Sequence, residues 1–168
     1  MTAVGSTRLG AVAVLLAALA ACVPRAEVSS LSSAAMVAEY GRPDRVESRR
    51  LVWEHRGPWS RIVVWDARRA PENEGLKSDI EETIAYSVPD DMRGALSAFS
   101  RSLLVSSGGA RLSARSTGED RNFLMLNLAD DILHGRLSPQ DARVVYLRTL
   151  ETAAAGKTEA SMHTLLFR

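Results

Sequence analysis

The chain has 168 residues, 46% of them apolar and 24% charged, which is material for one folded domain and excludes a largely disordered chain. Its net charge of +1 provides no basic footprint, so neither nucleic acid nor an anionic membrane surface is expected as an electrostatic partner. The one cysteine, Cys22, is a liability in an oxidising compartment unless something consumes its thiol.

The N-terminus comes first. Arg8 precedes an apolar run from Leu9 to Ala21 that stops at Cys22; it has the length of a signal peptide and is too short to span a bilayer. Leu19, Ala20 and Ala21 followed by Cys22 resemble the lipobox of bacterial lipoproteins. That resemblance implies cleavage after Ala21, a diacylglyceryl group on the Cys22 sulfur and an N-terminal acyl chain. At about 0.8 kcal/mol per buried CH₂, such chains hold a domain at a membrane. Lipoproteins kept in the inner membrane often carry aspartate after the cysteine. Here that residue is Val23, so the resemblance favours the periplasmic side of the outer membrane in a Gram-negative host. Loss of residues 1–21 removes Arg8, their one charged residue, and leaves 20 basic against 20 acidic side chains.

Residues 22–33 contain serine and proline without periodicity and read as a tether. A single domain is expected over 34–168. A short helix with Met36, Val37 and Tyr40 at helical spacing follows, ended by Gly41 and Pro43. Arg50–Arg56 and Trp59–Asp66 read as a β-hairpin around Gly57-Pro58, and 67–75 as a loop. Thr83–Val88 reads as a third strand through Ile84, Tyr86 and Val88. Pro89-Asp90 opens a helix with Met92, Ala95, Leu96 and Phe99 on one face. A second hairpin turns at Gly108-Gly109, with Leu112 and Ala114 inward. Gly118–Leu133 is the longest helix, central and closed by Gly135. Ser138 caps a last helix that has Pro139 at its first position; residues 157–168 are ambiguous between strand and helix. Without regular βαβ alternation the class is α+β, an antiparallel sheet of about five strands against three or four helices.

The three tryptophans, Trp53, Trp59 and Trp65, all fall in the first hairpin. A two-residue turn pairs Trp53 with Ile62, Glu54 with Arg61 and Arg56 with Trp59. This puts Leu51, Trp53, Ile62 and Val64 on a core face, and Arg56, Trp59, Arg61 and Trp65 on the other, with Arg56 stacked on Trp59. Two readings stand for that second face. Either Trp59 and Trp65 are covered by a helix or the following loop, or the four residues form an exposed surface for a partner protein or polymer.

Catalytic patterns are scarce. Asp130, Asp131 and His134 form a D-D-x-x-H run, but a metal site needs three or four ligands and no second His or Cys cluster accompanies it; a helix-end surface is the expectation. There is no G-x-S-x-G elbow or S-x-x-K motif, and His55 points away from its neighbour Glu54 in a strand. No catalytic residue, metal or cofactor is assigned. The expectation is a non-enzymatic, lipid-anchored envelope protein with an interaction or structural role. The alternative is a periplasmic ligand-binding or hydrolytic lipoprotein using Asp130, His134 or His55 in a cleft.

"MVAEYGRPDRV" with "LVWEHR" resembles the opening of small outer-membrane lipoproteins that assist β-barrel assembly, over about twenty residues. "GPWSRIVVW", "ETIAYSVP", "LSARSTGEDRNFLMLNLADDI" and "SPQDARVVY", within 51–148, resemble segments of uncharacterised small bacterial proteins. That second likeness implies no activity.

Overall fold

The computed structural model describes residues 33–48, 50–65 and 79–167; the leader, Cys22, the tether apart from Ser33, and the loop read at 67–75 lie outside them. Six strands, β1 (Arg45–Val46), β2 (Arg50–Arg56), β3 (Trp59–Trp65), β4 (Ile80–Ala85), β5 (Leu103–Val105) and β6 (Arg111–Ser116), form one antiparallel sheet in the order β1-β2-β3-β4-β6-β5. Four α-helices accompany it: α1 (Ser33–Tyr40), α2 (Arg93–Phe99), α3 (Glu119–Leu133) and α4 (Pro139–Ala154). The class is α+β, with one strand more than expected, because β1 is only two residues long.

The hairpin forms in the expected register, with Trp53 opposite Ile62, Glu54 opposite Arg61 and Arg56 opposite Trp59. Paired residues share a face, so Trp53, Ile62, Val64, Ile80, Ile84, Leu112 and Ala114 form an inward side that buries against α3. Helix α3 follows from Gly118 with Glu119 and Asp120 in its first turn, where acids complement the helix dipole. Its Leu124, Leu126, Leu128, Ala129 and Ile132 are buried, as expected of a central helix. Helix α4 packs on α2 and α3. Its cap is the expected one: the Ser138 hydroxyl accepts the Asp141 N–H at 3.1 Å ahead of Pro139.

Several expectations change. Helix α4 has 16 residues and is longer than α3, which has 15. The strand read at Thr83–Val88 runs instead over Ile80–Ala85: its inward positions are Ile80, Glu82 and Ile84, so that a carboxylate breaks the apolar period, and Tyr86 and Val88 lie in the segment beyond its end. Trp59 does not share a face with Arg61 and Trp65: it is 1% exposed and its ring lies 4.6 Å from that of Phe123 on α3. The cause is His55, whose φ of +54° is left-handed and interrupts the strand alternation just before the turn.

The opposite face of the sheet carries Trp65 between two guanidinium groups, Arg50 at 5.3 Å and Arg115 at 5.0 Å from the ring centre. Glu54 pairs there with Arg45 at 2.7 Å and Arg61 at 3.9 Å. Arg56 does not stack on Trp59. It donates instead to the Glu54 carbonyl at 2.6 Å and to Asp44 at 3.0 Å.

Candidate functional site

A cleft of about 1230 Å³ opens where the hairpin end, the segment after β4 and the C-terminal half of α3 converge. His55, Gly57, Pro58 and Trp59 form one wall; Tyr86, Asp130, Asp131, His134 and Arg136 form its polar side; Leu165, Leu166 and Phe167 close it. Along α3, Phe123, Asn127, Asp130 and His134 recur at three- and four-residue spacing, so the stripe that buries Phe123 also points Asp130 inward.

Asp130 is the centre of this arrangement and is 4% exposed, not the solvated helix end expected of it. Its Oδ1 accepts the Tyr86 hydroxyl at 2.5 Å and faces His134 Nδ1 at 3.2 Å. Its Oδ2 accepts from the Arg136 guanidinium, which also donates to Asp131 at 2.6 Å. Burial of a carboxylate is tolerated where charge-assisted donors satisfy it. Burial of Tyr86, followed by its hydrogen bond to Asp130 and that residue's charge, pushes the hydroxyl above the ordinary tyrosine range. The phenol therefore stays a donor throughout the working pH range.

His134 Nδ1 lies 3.0 Å from the Asp130 carbonyl as well as beside its carboxylate, so a proton on Nδ1 satisfies both and leaves Nε2 as the ring's acceptor. Asn127 fixes the remaining wall. Its amide donates to the carbonyls of Ser161 and Thr164 at 2.9 and 2.8 Å, and its oxygen accepts the Leu166 N–H at 2.7 Å. Phe167 meets Tyr86 edge-on at 5.3 Å. The ambiguous C-terminal stretch is thus neither strand nor long helix: a 3₁₀ turn at Ala160–Met162 precedes a segment tied down by one side-chain amide.

The cleft brings together His55, Asp130, Asp131 and His134, which are 75 or more residues apart across the two histidine-bearing segments. It takes Trp59 as a wall but not Arg56, Arg61 or Trp65, so those four residues do not form one surface. Tyr86 and Arg136 were absent from the sequence-derived site. The signal that finds them is the buried phase of Asp130 on α3, which demands donors from neighbouring elements. Among the described residues, no group of three or more His, Cys, Asp and Glu side chains is disposed to hold a metal ion, and no helix is long and apolar enough to cross a membrane. Compared with known proteins, the chain matches no family model, no curated protein and no solved structure.

Proposed function

We propose that this chain is a lipid-anchored protein of the bacterial envelope, tethered through Cys22 on the periplasmic side of the outer membrane, and that it binds a ligand or partner segment in the Asp130 cleft without catalysing a reaction. The leader ending in Leu19, Ala20, Ala21 and Cys22 supports the location. The observation that carries the role is the state of Asp130: both carboxylate oxygens are taken by Tyr86, His134 and Arg136. A carboxylate so committed holds a polar wall in place and is not free to accept a substrate proton. Apolar walls with a few fixed polar groups are the usual make-up of a binding pocket.

A photo-crosslinking residue at Leu133, which lines the cleft, tests this in cells. A discrete adduct is expected there and not from the same residue at Leu147, exposed on α4. Equal labelling at both sites, or none at Leu133, overturns the binding role.

One observation favours a second reading, hydrolysis: His134 is oriented by Asp130 through Nδ1, as a general base would be. Cleavage of an activated ester by the purified protein, abolished in His134→Ala, would favour it over simple binding.

A further inference from the structure

Past the end of β4 the chain keeps the direction of that strand through Tyr86, Ser87 and Val88. Tyr86 donates its N–H to the Ala110 carbonyl at 3.1 Å, and Val88 donates to the Gly109 carbonyl at 2.8 Å, so this stretch stays joined to the residues that lead into β6. Alternate residues of an extended strand aim their N–H and C=O groups at opposite neighbours. Those of Ser87, between the two, therefore face away from β6. Among the described residues neither backbone group of Ser87, nor its hydroxyl, takes part in a hydrogen bond, and the residue is exposed.

No strand meets Ser87 on that side because the first hairpin is too short to supply one. β3 pairs with β4 as far as Arg61 opposite Thr83, where the Ser60 hydroxyl donates to the Thr83 carbonyl at 3.0 Å. Before Trp59 the chain has turned at Gly57-Pro58 out of β2. Ala85 and Ser87 thus form a short open edge, and both line the cleft. Exposed edges are commonly blunted by charged side chains. Here the two exposed positions carry small, uncharged side chains, and only Pro89 brings the edge to an end.

We propose that the occupant of the Asp130 cleft is an extended, basic peptide segment of another protein, which adds to residues 85–88 as a strand in line with β3 and pairs with the Ser87 N–H and C=O. The proposal rests on the reading of the cleft as a binding site and names what fills it. An added strand lies about 4.8 Å from its neighbour, and the cleft offers about 1230 Å³ beside the edge. Backbone pairing supplies affinity in this mode of recognition, and alternate side chains supply specificity. The charged side chains lining the cleft besides its two histidines are Asp130, Asp131 and Arg136, two negative against one positive. That excess selects lysine or arginine in the peptide. Leu166, 63% exposed at the rim, gives an apolar side chain of the peptide a surface to cover. A sugar or a small metabolite has no backbone to match an N–H and a C=O on one strand edge.

The probe is a displayed random-peptide library, selected on the full mature protein. Enriched peptides are expected to carry basic residues, to shift the Ser87 amide resonance in NMR spectra and to slow its hydrogen exchange. Ser87→Pro removes an N–H that has no partner in the free protein and should weaken such a peptide about tenfold. Ser87→Ala keeps the backbone and should bind like wild type. Methylating the peptide nitrogens one at a time checks the same bonds with the protein unaltered, and affinity should fall at alternate positions only. Peptides that bind without moving the Ser87 amide, or that lose affinity equally in Ser87→Ala and Ser87→Pro, overturn strand addition. So does a selection that enriches no peptide. If the Leu133 crosslinker still gives its discrete adduct in that case, the cleft remains a binding site for another class of ligand; if the adduct is absent too, the binding role falls with the proposal.

Discussion

At the scale of single residues, the buried carboxylate of the cleft is held in place by donors from other elements. Asp130 takes the Tyr86 hydroxyl from the segment after β4 and the Arg136 guanidinium from beyond the end of α3. Truncating it strands the Tyr86 hydroxyl on the cleft wall and leaves a space, since Asp130 is buried. Asp130→Ala is therefore expected to cost about 1–3 kcal/mol, and Asp130→Asn less, because an amide oxygen still accepts from Tyr86. Urea unfolding of both variants checks the order; equal stability of Asp130→Ala and wild type would mean that the network adds nothing to folding. The buried position of Asp130 fits its spacing to Phe123 and Asn127, yet a D-D-x-x-H run just before Gly135 reads as a solvated helix end, and that local signal hid it. Tyr86 reads as a strand residue but lies just past the end of β4, and nothing local tells a tyrosine that its hydroxyl will meet a helix 44 residues later.

At the scale of elements, the turns decide more than the strands do. The β2–β3 register could be read from Gly57-Pro58 and alternating apolar residues, yet the face of Trp59 could not, because His55 adopts a left-handed backbone that side chains other than Asn, Asp and His seldom accept. Relief of that conformation should make His55→Gly more stable by about 0.5–1 kcal/mol, the left-handed penalty less the entropy cost of glycine. The opposite holds at Gly109, at the turn that leads into β6. Its φ is +67°, and a Cβ there would meet the Val88 carbonyl oxygen at 2.7 Å, while the Gly109 carbonyl accepts the Val88 N–H at 2.8 Å. Gly109→Ala should cost about 2 kcal/mol or more. Thermal unfolding midpoints moving in the same direction for the two variants would refute the assignment of backbone strain. Strand β1 and the first residues of β4 escaped the sequence for other reasons: two residues carry no period, and Glu82 puts a carboxyl where the period calls for an apolar side chain.

For the whole molecule, the sheet is covered by helices on one side and laced by arginine, glutamate and tryptophan contacts on the other, and the cleft opens at the end where Gly57-Pro58 turns. The broad class was legible because helix caps, glycine stops and hairpin turns are local signals. The cleft was not, because it exists only once residues 55, 86, 130 and 165–167 are folded together. The location proposed for the chain depends on chemistry at one atom. If the Cys22 thiol takes a diacylglyceryl group, the eleven residues 23–33 reach at most about 36 Å when extended, so the domain works close beside its bilayer. Labelling cells with radioactive palmitate should then mark the wild-type protein and leave Cys22→Ser unlabelled, with the variant moving from the membrane pellet to the soluble fraction. Two hydrocarbon chains or more are required for retention of this kind, since a single one gives only reversible binding. Mass spectrometry of the mature N-terminus separates those cases: an unmodified thiol, or a chain that starts elsewhere than residue 22, would detach the protein from the membrane.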